Sequence, residues 1–233
     1  MVCAREGSRF VVRPNTTDMD ILWEVLAKRV YAEEGLEIGE WDTIVDIGAH
    51  IGVFTVLAAR SATHGKVFSF EPMPENYRVL QENIRLNGLE NVTSFNVAVA
   101  SRDGQRDFFV DRNDEAGHSL IRKEESDVTR VDTISLATFL EDQGVDVIDF
   151  LKADCEGAEY EILLNLPPQV LERIRRISME CHVRPGIGSS SILKRHLESN
   201  GFIVRMIDGE NYLHAISKGK AKDIQSTPSI RSD

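Results

Sequence analysis

The sequence predicts an α/β protein built on a doubly wound, mostly parallel sheet. Three observations carry this. An apolar run from Thr43 to Ile47 ends in a glycine-containing turn that becomes a helical pattern through Val53, Phe54, Leu57 and Ala58. A second apolar run, 66–70, ends on the acidic Glu71. The alternation of strand, helix, strand, helix and strand then continues to Val99, which is the rhythm of a parallel sheet with helices on its faces.

At 233 residues, 42% hydrophobic and 28% charged, the chain suits a single domain with a sizeable core. We expect that domain over residues 1–218, with a helical extension over about 1–40 and a disordered polar tail over 219–233. The net charge of -11 argues against a nucleic-acid backbone or an anionic membrane as partner. Cys3, Cys155 and Cys181 are an odd set without CxxC spacing, so neither a disulfide framework nor a structural zinc is expected. With no long apolar stretch and no apolar leader at the N-terminus, a cytoplasmic location is the expectation.

In chain order, residues 9–13 read as an extended arm closed by Pro14. Thr17 to Asp20 signals a helix start, and Ile21, Leu22, Val25, Leu26 and Val30 recur at helical spacing up to Gly35. This helix is expected across a sheet edge or over the mouth of the site, where Tyr31 faces either ligand or the helix packing. A helix beginning at Pro74 carries Tyr77, Leu80, Ile84 and Leu86 and stops at Asn87-Gly88. The third strand spans 92–99. Residues 106–110 suggest an edge strand, and 111–125, rich in charges and turn formers, a lid around Ser119. Residues 128–134 read as extended, and Ser135 caps a short helix. A central strand over 147–152, a helix over 158–164 stopped by Pro167-Pro168, and a strand over 174–181 follow. The last helix covers 189–199, and 202–207 with 212–217 form a closing antiparallel hairpin.

Two constellations carry chemistry. In the turn from Asp46 to Gly52, glycines stand at 48 and 52 but His50 occupies the middle position where a dinucleotide fold places a third. A pyrophosphate would sit poorly there. A cofactor bearing an amino acid in its place could use the turn backbone at Gly48 and Gly52, with Asp46 either facing its amine, directly or through water, or organising the turn. Glu71, flanked by Phe70 and Pro72, is placed to accept hydrogen bonds from a ribose diol, and Asn96 to Ala98 lie beside the base. The sequence therefore points to an adenosine-containing cofactor.

The second constellation is Lys152-Ala153-Asp154-Cys155-Glu156-Gly157-Ala158-Glu159, just past the end of a core strand, where a parallel sheet faces its crevice. Glu180 and His182 follow the next strand at period two. His182 is a candidate general base, with Asp154 as alternative and His118 ranked below it. Asp154, Glu180 and His182 could instead hold a divalent cation such as Mg2+, and the spacing does not choose between base and metal.

Four blocks resemble the FkbM-type class I S-adenosylmethionine-dependent methyltransferases: residues Val12-Arg13-Pro14-Asn15-Thr16, the run from Val45 to Gly52, Phe70-Glu71-Pro72-Met73-Pro74-Glu75-Asn76, and the run from Leu151 to Glu159. Their order and separation match as well. The resemblance implies a Rossmann-like, seven-stranded, mostly parallel sheet with helices on both faces, S-adenosyl-L-methionine as methyl donor, and O-methylation of a hydroxyl on a small molecule such as a sugar or natural product. The cofactor-binding set is then Asp46, Gly48, Ala49, His50, Gly52, Phe70, Glu71, Pro72, Asn96, Ala98, Asp154 and Glu156. The catalytic set is His182, Asp154, Glu180 and Lys152. His50 stands where the family more often has Asn, and Cys155 where an aliphatic residue is commoner. A non-catalytic nucleotide-binding or scaffold protein on this fold is the alternative. An NAD-dependent dehydrogenase ranks third, disfavoured by His50 in the turn.

Overall fold

Three consecutive hydrophobic runs, 43–47, 66–70 and 150–153, lack the polar alternation of a half-exposed strand, and all three lie at the centre of one sheet. A computed structural model describes residues 1–28, 35–110, 119–121, 127–182, 189–207 and 211–219. Tyr31, His118, most of the expected lid, the turn at 208–210 and the tail beyond Gly219 lie outside the described residues.

From the N-terminus, β1 (Val2–Cys3) and β2 (Arg9–Phe10) pair antiparallel. Helix α1 (Asp18–Trp23) runs on as a π-helical turn over Glu24–Lys28. Then come β3 (Thr43–Ile47), α2 (Val53–Ser61), β4 (Lys66–Phe70), α3 (Pro74–Leu86) and β5 (Val92–Phe95). Next are β6 (Ala98–Ala100), β7 (Gly104–Val110), β8 (Asp127–Ser135) and α4 (Leu136–Asp142). The chain continues as β9 (Phe150–Ala153), α5 (Ala158–Leu164), α6 (Pro168–Leu171), β10 (Arg176–Glu180), α7 (Ser190–Ser199), β11 (Phe202–Ile207) and β12 (Tyr212–Ser217).

The main sheet has seven strands in the order β11-β12-β10-β9-β3-β4-β5. Only β12 runs antiparallel to its neighbours, β10 on one side and β11 on the other. The chain therefore winds outward from β3 through β4 to β5, returns to the other side of β3 as β9, and winds away again. The reversal leaves a crevice beyond the carboxyl ends of β3 and β9. Register then fixes which side chains meet: Asp46 lies beside Lys152, and Ile47 lies beside Phe70 on one flank and Ala153 on the other.

Two expectations need correction. The third strand does not run through to Val99. At Asn96 the side-chain amide donates to the carbonyls of Glu71 (2.8 Å) and Pro72 (2.9 Å), which turns the chain out of the main sheet. β6 then pairs parallel with β8, and β7 pairs antiparallel with β8, so residues 104–110 belong to a separate three-stranded sheet. At the first helix, Thr17 makes no side-chain capping bond. The carboxylate that matters there is Asp18, fully buried and gripped by Arg13 through its backbone N–H (2.8 Å), Nε (3.1 Å) and Nη2 (2.7 Å).

Both faces of the sheet are covered. On one, Phe70 stacks on Phe95 with centroids 5.0 Å apart, and Phe139 of α4 sets its edge against both. On the other, Ile44, Val67 and Phe150 pack against Phe54 and Ala58 of α2. Aromatic pairs in these arrangements add to the burial itself. The sheet is a rigid platform for whatever its strand tips present.

Candidate active site

The tips of β3, β4, β9 and β10 open into one cleft of about 260 Å3. Its floor is the turn Gly48, Ala49 and His50; one wall is Phe70, Glu71, Pro72 and Asn76. Ala98, Val99, Phe108 and Leu120 form an apolar side. The opposite end is polar, with Lys152, Asp154, Glu156, Glu180 and His182, and Ile21, Glu24 and Val25 lie across the mouth. The N-terminal helix thus covers the site.

The turn is stitched into the protein by its own backbone. The N–H groups of Gly48 and Ala49 both donate to the Phe70 carbonyl, and that of Gly52 donates to Ala49. The His50 N–H donates to Glu71 Oε2 (2.9 Å). With these donors engaged, a pyrophosphate would find little to bind there. Gly48 has φ +75°, and a Cβ on it would stand 1.7 Å from the Asp154 carbonyl oxygen. Gly52 is glycine for a different reason: its Cβ would meet Leu80 Cδ1 of α3 at 2.4 Å. Gly52 and Asn96 do not line the cleft, and neither does Asp46.

Asp46 is buried beneath the turn. Its Oδ2 accepts from the Thr55 hydroxyl (2.6 Å), and its Oδ1 lies 3.2 Å from Lys152 Nζ. These contacts fit the turn-organising role among those open to Asp46. Lys152 Nζ also donates to the carbonyls of Gly48 (2.6 Å) and Ile47 (3.3 Å), so it clasps the β3 turn to β9. Burial works against its charge, but Asp46 and Asp154 outweigh that and hold the ammonium above the ordinary lysine range.

Glu71 is 5% exposed, and each oxygen accepts one backbone N–H, from His50 and from Met73. A carboxylate has further lone pairs to offer. Burial pushes its pKa up to about 7 against the pull of those hydrogen bonds. His50, with φ +51°, is 8% exposed and neither ring nitrogen has a hydrogen bond; Nε2 lies 4.0 Å from Asp18 Oδ1. Burial lowers its pKa to about 4, so the ring is neutral.

At the polar end His182 is surrounded by carboxylates. Its Nδ1–H donates to Glu159 Oε1 (2.8 Å), a buried oxygen that also accepts the Cys155 N–H (3.0 Å). Its Nε2 lies 3.3 Å from Glu156, 3.8 Å from Glu180 and 4.0 Å from Asp154. Burial disfavours the charged ring, but the hydrogen bonds to Glu156 and Glu159 and the neighbouring negative charges push its pKa up to about 11. Glu180, held by the Tyr212 hydroxyl (3.1 Å), is raised to about 7 by burial and by Asp154. Ligand atoms of Asp154, Glu180 and His182 all lie within 4.8 Å of one another. Ser119 Oγ donates to the Glu156 carbonyl (2.7 Å), which anchors the described part of the expected lid on this cluster.

Sequence reasoning brought Gly48, Ala49, His50, Phe70, Glu71, Pro72, Ala98, Lys152, Asp154, Glu156, Glu180 and His182 to one cleft. It missed Asp18 behind His50, Asn76 beside Glu71, and Thr55 beneath Asp46. Asn76 was visible as a polar residue in the first turn of a helix aimed at the crevice. Nothing local marked Asp18 or Thr55, whose partners are distant in the chain.

A seven-stranded sheet in this order, with helices on both faces and a cleft at its switch point, is the Rossmann-like fold of class I methyltransferases. The chain belongs to the methyltransferase FkbM domain family, whose pattern it matches over residues 46–213. It is similar to the methyltransferase sdnD of Sordaria araneosa, 28% identical over 190 residues, covering 68% of this chain and 73% of that protein. The 31-O-demethyl-FK506 methyltransferase FkbM of Streptomyces tacrolimicus is 24% identical, with 83% and 85% covered. The AMB antimetabolite synthetase AmbE of Pseudomonas aeruginosa is 26% identical over 78% of this chain, which spans only 10% of that protein's length. Among solved structures, the Methanococcus jannaschii fibrillarin pre-rRNA processing protein shares the fold, with a TM-score of 0.50 at 15% identity over 84% of this chain and 74% of that one. Family and fold together support an S-adenosylmethionine-dependent methyltransferase.

Proposed function

We propose that the chain methylates a hydroxyl on a small molecule, such as a sugar or natural product, using S-adenosyl-L-methionine. The observation that carries this is the pairing, in one cleft, of a buried carboxylate at Glu71 with an acid-histidine cluster at the other end. Glu71 is suited to a ribose diol, because it lines the cleft and its backbone bonds fix its direction. Ala98, Val99, Phe108 and Leu120 offer an apolar surface for the base. Gly48 and Ala49 offer a bare floor for the amino-acid end, and Asp46 with Lys152 hold that floor in place. When bound, S-adenosylmethionine supplies the activated methyl group.

The chain's part is to orient the acceptor, exclude water and accept a proton. With its pKa near 11, His182 is charged at neutral pH and serves as a hydrogen-bond donor rather than as the base first expected. The acceptor's proton then goes to a carboxylate of the cluster, Asp154 or Glu180. A divalent cation at Asp154, Glu180 and His182 would take the place of the His182 Nε2 proton and serve the same end. Glu24, Asp154, Glu156 and Glu180 line the acceptor side, which disfavours a polyanionic nucleic acid and supports a small acceptor. No helix among the described residues is long and apolar enough to cross a membrane. We read residues 1–218 as one cytoplasmic methyltransferase domain.

Thermal melts with S-adenosylhomocysteine and with NAD test the reading. We expect a rise in Tm with the first and none with the second. Stabilisation by NAD alone would overturn it, and stabilisation by neither would favour a scaffold on the same fold.

A further inference from the structure

We propose that Asp154, Glu180 and His182 form a binding site for a divalent first-row transition-metal ion at the acceptor end of the cleft. The inference rests on the methyltransferase reading and deepens it, because the ion would hold an oxygen-bearing acceptor and acidify its hydroxyl. Three features of the cluster carry it. The first is orientation. Glu159 accepts from His182 Nδ1 at 2.8 Å, which fixes the ring and turns Nε2 toward a group of acidic oxygens, Glu156 at 3.3 Å with Glu180 and Asp154 just beyond. A carboxylate behind a histidine, with the other nitrogen presented to acidic oxygens, is how metal-ligating imidazoles are held.

The second is the donor set. Two carboxylates and an imidazole have ligand atoms within 4.8 Å of one another, and they come from two adjacent strand tips. Neighbouring ligands of an ion bound at about 2.1 Å stand about 3 Å apart. His182 Nε2 is 3.8 Å from Glu180 and 4.0 Å from Asp154, so modest side-chain rotation closes the set. An imidazole nitrogen suits a first-row transition ion better than Mg2+.

The third observation concerns the carboxylate behind the histidine. Glu159 is fully buried, and its Oε2 has no hydrogen-bond partner. The protonated His182 ring supplies positive charge beside this buried carboxylate, and an ion that takes the place of the Nε2 proton keeps it there. An ion on Nε2 would strengthen the Nδ1–H donor that faces this group.

The test is Mn2+ titration of the full chain, followed by the electron paramagnetic resonance of the free ion, with S-adenosylhomocysteine calorimetry in parallel. We expect one Mn2+ per chain, at least tenfold weaker binding in both Glu180→Gln and Asp154→Asn, and no change in Glu198→Gln on the exposed face of α7. Mg2+ should displace Mn2+ only at tenfold or greater excess. No binding, or equal binding in all variants, would overturn the site while intact S-adenosylhomocysteine binding left the methyltransferase reading standing. Loss of S-adenosylhomocysteine binding by the unmodified chain would count against that reading instead. Mg2+ competing on equal terms would overturn the choice of ion.

Discussion

Gly48 and Gly52 share a turn and the left-handed region of backbone space, but they face different neighbours. Beside Gly48 is a carbonyl oxygen of β9's tip, which cannot swing away; beside Gly52 is the end of a leucine side chain, which can. Gly48→Ala should cost about 3 kcal/mol, the sum of overpacking and a positive-φ penalty, and abolish S-adenosylhomocysteine binding. Gly52→Ala should cost about 1–2 kcal/mol and leave binding within a fewfold of normal. Urea denaturation and calorimetry on both variants check this. His182 gives a second prediction. Its folded pKa, about 11, is raised above the ordinary 6.5. Its contribution to stability is therefore fully present below pH 6.5 and is lost as the pH rises toward 11. Denaturation at pH 7 and pH 10 should show a stability loss in the unmodified chain that shrinks in His182→Gln. At this scale the sequence told which residue types gather at strand tips, but not their partners. Asp46 reads from sequence as a ligand contact or a turn organiser; only register with β9 shows that Lys152 stands against it.

At the scale of elements, the N-terminal arm matters more than its length suggests. α1 is six residues long, yet its buried Asp18 ties the arm to Arg13 and stands behind His50 of the glycine turn. Helical spacing from Ile21 to Val25 was readable as an amphipathic face, and Ile21, Glu24 and Val25 do line the cleft mouth. The buried acid was not readable, since Asp18 looks like any first-turn carboxylate. Arg13→Ala leaves that charge buried without its partner and should destabilise the chain by about 3 kcal/mol in urea denaturation. Amide exchange should speed up first in α1. The split of the expected third strand has a similar cause. Residues 92–99 are uniformly compatible with a strand, and it is the long-range bond from Asn96 to the carbonyls after β4 that diverts them.

For the molecule as a whole, the seven-stranded sheet was legible because hydrophobic runs, glycine turns and helix stops all agree on one winding. The cleft follows from that winding, since the reversal at β3 and β9 leaves the strand tips open on one side. What periodicity could not show is the second sheet, whose pairing of β6 with β8 joins distant segments and puts Phe108, Ala98 and Val99 on the lining of one cleft. Both ends of the cleft have to act together, and the cofactor end can be tested without knowing the acceptor. Titration calorimetry of S-adenosylhomocysteine into the unmodified chain and into Glu71→Ala is the most direct measurement. The account predicts one site per chain and at least a tenfold loss of affinity in the variant. Undetectable binding to the unmodified chain, or equal affinity in the two proteins, would contradict it.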